Sequence, residues 1–148
     1  MILNTEYADI FDSTVIGKTQ VDGIDLYIFE NGIIFVRVEK YQTLTLRAYE
    51  LGKAFIATFG AEKRYNFVFH FESFGDISPE LRAQRAKPDG TVFALTDAIV
   101  ISNVSQKLIA DFYMKFNRPK RPTKVFTSLE KAVLWSYRMK KQKPNKDL

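Results

Sequence analysis

From Val15 onward apolar and polar residues begin to alternate, and a period of two predicts strands. Asp22-Gly23 and Asn31-Gly32 each read as a two-residue type I′ turn, which needs positive φ at both central positions. Between them Ile24-Asp25-Leu26-Tyr27-Ile28-Phe29 alternates, and Ile33-Ile34-Phe35-Val36-Arg37-Val38 follows. The pattern predicts an antiparallel meander over residues 15–39. Residues 1–13 carry no decisive period.

The period then lengthens. Thr45 reads as the N-cap of a helix over 46–59, with Ala48, Leu51, Phe55, Ile56 and Phe59 on its apolar face. Gly52 inside that helix implies close packing, and Gly60 is placed to end it in a left-handed conformation. Tyr65–Phe71 predicts a strand with Tyr65, Phe67, Phe69 and Phe71 on one face and Val68 and His70 on the other. Apolar residues on both faces predict a central strand covered on both sides. Ser78-Pro79 opens a short helix to Lys87, with serine as N-cap and proline at the first position, and Pro88-Asp89-Gly90 breaks it. A strand over 96–102 leads into a helix capped by Asn103, with Gln106 completing a capping box. That helix sets Val104, Leu108, Ile109, Phe112 and Phe116 on one face, predicted to turn inward, and ends at Asn117. Thr123–Phe126 predicts a short strand, Thr127 and Glu130 a second capping box, and Leu129, Ala132 and Val133 the inner face of the last helix, with Trp135 at its edge.

A meander followed by β-α alternation implies an α/β fold: a mixed sheet with N-terminal antiparallel hairpins and a parallel portion, flanked by about four helices. The chain has 148 residues, and the pattern gives one domain over 1–139 and a basic tail over 140–148. Charge sharpens that boundary. From Arg138 to the end the chain has five basic residues against Asp147, so nearly all of the net charge of +5 lies there. Such a tail reads as a solvated end. The absence of cysteine excludes disulfides, thiol nucleophiles and thiolate metal sites. The first residues show no basic segment ahead of an apolar run, and no stretch approaches the ~18 apolar residues of a membrane helix. A cytoplasmic protein is the expectation.

The segment Ala98-Ile99-Val100-Ile101-Ser102, the helix end Phe112-Tyr113-Met114-Lys115-Phe116-Asn117, the loop Pro119-Lys120-Arg121-Pro122-Thr123, and Lys124-Val125-Phe126-Thr127 with Glu130, Ala132 and Trp135 resemble the small bacterial STAS/CRAL-TRIO-like domains, which share the fold of the anti-sigma-factor antagonists. The resemblance covers residues 96–136. It implies a STAS-like fold, a mixed sheet wrapped by helices in successive β-α turns, and little about function. The antagonists carry a phosphorylated Asp-Ser-Ser-Gly turn. The corresponding stretch here, Glu72-Ser73-Phe74-Gly75-Asp76-Ile77-Ser78-Pro79, lacks it.

Candidate chemistry gathers at the carboxyl end of the central strand, where parallel α/β sheets bind ligands. His70, the only histidine, and Glu72 share a strand face and read either as a base with its orienting carboxylate or as a packed histidine. Ser73 is the nearby hydroxyl, Asp76 a candidate binding residue, and Ser78 either a phosphosite or an N-cap. Lys120 and Arg121, with Lys115, Arg118 and Lys124, form a basic cluster suited to phosphate contact or to plain solvation. Nucleic-acid binding is not expected, because aromatics are not interleaved with these cations and Phe116 is predicted to point inward. No glycine-rich phosphate loop occurs, and neither cofactor nor metal is called for. The leading expectation is a non-catalytic interaction module with an unknown protein partner, or with itself as a homodimer. A small-ligand or lipid carrier using the Phe-rich face is the alternative, and an enzyme using His70 and Glu72 the second.

Overall fold

A computed structural model describes residues 5–60, 63–87 and 93–141. The proline-glycine break at 88–90 and the tail from residue 142 lie outside the described residues. The elements are α1 (Thr5–Phe11), β1 (Val15–Val21), β2 (Ile24–Phe29), β3 (Ile33–Val38), β4 (Thr43–Leu44), α2 (Leu46–Ala57), β5 (Tyr65–Phe71), β6 (Asp76–Ile77), α3 (Pro79–Ala86), β7 (Ala94–Val100), α4 (Val104–Phe112), β8 (Thr123–Phe126) and α5 (Leu129–Lys141). A π-helical turn, Tyr113–Asn117, prolongs α4.

Six strands form one mixed sheet in the order β1-β2-β3-β5-β7-β8, with β1-β2 and β2-β3 antiparallel and the remaining pairs parallel. β4 and β6 make a separate two-stranded pair. The parallel order advances in one direction, so crossovers of one hand place α2, α3 and α4 on a single face. There Phe67, Phe69 and Phe71 pack with Ile56 and Leu81. After β8 the chain passes to the other face, where α5 and α1 cover Phe35, Val68 and Val100 through Ala132, Val133 and Phe11. β5 is thus covered on both sides, as its doubly apolar pattern predicts.

The first hairpin turn has the expected form, with Asp22 and Gly23 both at positive φ. The second does not. The turn spans three residues, 30–32, and only Gly32 has positive φ, with its amide donating to the Phe29 carbonyl at 3.0 Å. Asn31 is not in the left-handed region, and its side chain ties the turn to α1 and α5: Nδ2 donates to the Phe11 carbonyl and to the Tyr137 hydroxyl. Three caps follow the sequence: Thr45 accepts from the Ala48 amide, Ser78 from Leu81, and Asn103 from Gln106. The fourth is displaced by one residue. Ser128, not Thr127, accepts from the Lys131 amide and so caps α5. In α2, Leu51 is largely exposed and Tyr49 takes the buried place, while a Cβ on Gly52 would stand 3.0 Å from Leu26, the close packing its glycine implies.

Candidate functional site

The loops after β7 and β8 leave the sheet toward opposite faces. This divergence is the switch point at which open α/β sheets form ligand crevices. A cleft of about 630 Å³ lies there, lined by His70, Ser102, Asn103, Lys107, Thr127 and Glu130 among others. Burial, with the Arg37 charge, holds the His70 pKa below its ordinary value against the pull of Glu72. Its Nδ1 is buried without a hydrogen-bond partner. Ser102 donates its hydroxyl to the Phe71 carbonyl at 2.7 Å, and Lys107 pairs with Asp111 at 3.0 Å.

His70 and Glu72 share a strand face, but Glu72 is committed elsewhere. Arg37 Nε donates to Glu72 Oε2 at 2.7 Å, and Arg37 Nη1 to Asp25 Oδ2 at 2.6 Å. Gln20 bridges Asp25 and Glu39 beside them. Burial pulls the Arg37 pKa down, but the bonds to Glu72 and Asp25 outweigh it and hold it above the arginine range. Burial and the Asp25 charge push the neighbouring Tyr27 up to about 12. The sequence signal for this network was Asp25, an acid interrupting an otherwise apolar strand.

The remaining candidates scatter. Ser73 is half-buried, and its carbonyl accepts from the Tyr41 amide. Asp76 is exposed and accepts from the Ile77 amide through its side chain. Ser78 serves as the cap of α3. Lys120 is exposed, but Arg121 is not part of a solvated basic loop. Its side chain is buried and donates to Asp97 at 2.8 Å and to the Arg85 carbonyl. Arg85 donates to the other Asp97 oxygen at 2.7 Å, and its guanidinium lies over the rings of Phe67, Phe69 and Tyr49. The Phe-rich face is filled by packing. The cavity beside Phe71 is about 50 Å³, far below the 300–1,000 Å³ of ordinary small-molecule pockets. Among the described residues no cluster of acidic and histidine side chains is arranged to hold a metal.

The largest departure from the sequence reading is on α4. Val104, Leu108, Phe112 and Phe116, predicted to face inward, are 74%, 66%, 49% and 65% exposed. The helix turns a different set to the sheet: Gln106, Ala110 and Tyr113. Gln106 is buried at no polar cost. Its Nε2 donates to the Glu72 and Gly75 carbonyls, and its Oε1 accepts from the Ser102 amide. The exposed side chains recur every four residues and form a ridge about 18 Å long at 1.5 Å per residue. Phe112 and Phe116 pack against each other with tilted rings, centroids 4.7 Å apart, at the junction with the π-helical turn. Together the four side chains present apolar surface on the order of 400–500 Å², a size at which a patch on a monomer is often functional.

The architecture is that of a mixed α/β domain with one helix left apolar toward solvent, and no described helix is long and apolar enough to cross a membrane. The chain belongs to the family Domain of unknown function (DUF7793), whose model matches residues 27–140, from within β2 into the last turn of α5. Neither the curated proteins nor the solved structures gave a match.

Proposed function

We propose that the protein is a non-catalytic interaction module whose docking face is the α4 ridge. The observation that carries this reading is the exposure of Val104, Leu108, Phe112 and Phe116 in one line. Leaving four large apolar side chains in water forgoes the roughly 1.5–3 kcal/mol that burial of each would contribute. A second chain laid along the ridge recovers that term, as in helix-in-groove recognition. The β-α order of residues 65–136 supports the finer reading of a STAS-like regulatory fold. The phospho-switch of such domains is not carried over, because the Asp-Ser-Ser-Gly turn is absent from Glu72–Pro79.

The test is differential capture by the full chain and by a Leu108→Ser, Phe112→Ser double variant of unchanged circular dichroism. The reading expects at least one protein retained by the wild type and released by the variant. Identical retention of every bound protein by the two would refute it.

A further inference from the structure

The docking reading leaves open what lies on the ridge, and the charges beside it answer that. Arg82 of α3 holds its guanidinium 6.0 Å from the Phe112 ring centroid, and Lys115 places Nζ 5.9 Å from the Phe116 ring. Lys120 stands exposed just beyond the π-helical turn. Toward the other end Lys107 is neutralised by Asp111, its partner one turn on. The ridge is therefore asymmetric: near-neutral around Val104 and Leu108, and cationic around Phe112 and Phe116. Among the described residues Arg82 donates to the Ile77 carbonyl, and neither Arg82 nor Lys115 is ion-paired with a carboxylate.

Resting on the docking reading, we infer that the occupant is a partner protein's amphipathic helix of about three to four turns, whose apolar stripe is flanked by glutamate or aspartate at the end that meets Phe112 and Phe116. Carboxylates there would complement Arg82 and Lys115 and would set the direction of the helix. A second copy of this chain fits less well, since it brings the same cations, and the acid on its own α4, Asp111, is already paired with Lys107. The ridge is smaller than the ~800 Å² that each partner gives to a standard interface, which fits a transient complex.

Two synthetic helical peptides of about 16 residues with the same leucine stripe, one flanked by glutamate at one end and the other by lysine, serve as probes for fluorescence anisotropy. The expected result is saturable binding of the glutamate peptide, at least tenfold tighter than the lysine peptide. An Arg82→Glu, Lys115→Glu variant should reverse that order, and Leu108→Ser, Phe112→Ser should abolish both. Equal binding of the two peptides, lost only in the serine variant, would overturn the acidic partner and leave the docking face standing. Binding of neither peptide would also overturn it, and the capture experiment then judges the docking face separately. Sedimentation of the wild type as a dimer that the serine variant dissolves would assign the ridge to a second copy instead.

Discussion

Replacing Asp97 with alanine should destabilise the domain by about 3–5 kcal/mol, the usual loss when one member of a buried ionic group is removed. Asp97 is 1% exposed, and both of its oxygens are taken, one by Arg85 and one by Arg121. Without it two guanidinium groups remain in a water-poor interior with no carboxylate between them. The aromatic rings beneath Arg85 soften that cost but cannot replace a full negative charge. The loss extends beyond the pair. Arg121 also donates to the Arg85 carbonyl, so the triad ties the Pro119–Pro122 loop and the start of β8 to the end of α3. At roughly 2–4 °C per kcal/mol for a chain of this size, the melting midpoint should fall by about 6–20 °C. A fall of no more than 2 °C would show that water reaches the group.

Phe35→Ala should have a comparable effect for a different reason, about 3–5 kcal/mol from lost burial and the cavity left behind. Phe35 is fully buried on β3 and meets four rings: Tyr7, Phe11, Tyr27 and His70, at centroid distances of 5.0, 4.9, 5.6 and 6.4 Å. Tyr7 and Phe11 lie on α1, a helix of only seven residues that is too short to persist without tertiary packing. The variant should therefore lose hydrogen-exchange protection in α1 before the rest of the sheet. Urea unfolding with protection unchanged in α1 and a loss below about 1 kcal/mol would contradict this placement.

Elements held by local chemistry were legible in the sequence. The Asp22-Gly23 turn and the caps Thr45, Ser78 and Asn103 rest on contacts within a few residues and stand where their patterns put them, and the Tyr65–Phe71 strand, though held by β3 and β7 far along the chain, announces itself by its own doubly apolar pattern. Long-range pairings were not legible. Arg121 reads as solvated among prolines and lysines because its carboxylate lies 24 residues away, on a strand whose other described members are largely apolar. The β4-β6 pair is two residues long on each side, below the reach of any periodicity. Helix α4 misled for a sharper reason. It carries two stripes, and the more hydrophobic one is not the buried one. Gln106 reaches the sheet through its hydrogen bonds and Ala110 through its small volume, with Tyr113 buried beside them, while the large residues at 104, 108, 112 and 116 are left outside. Where the bulkier stripe is the one in water, folding alone does not explain the helix, and the proposed docking face rests on that exposure.

The measurement closest to that central claim is equilibrium urea unfolding of Leu108→Ser, Phe112→Ser. If the ridge faces solvent and serves docking, the variant should unfold within about 1 kcal/mol of the wild type, as surface substitutions do. If these side chains belong to the core, as amphipathic spacing alone suggests, the double replacement should cost well over 4 kcal/mol, and the docking face would not exist.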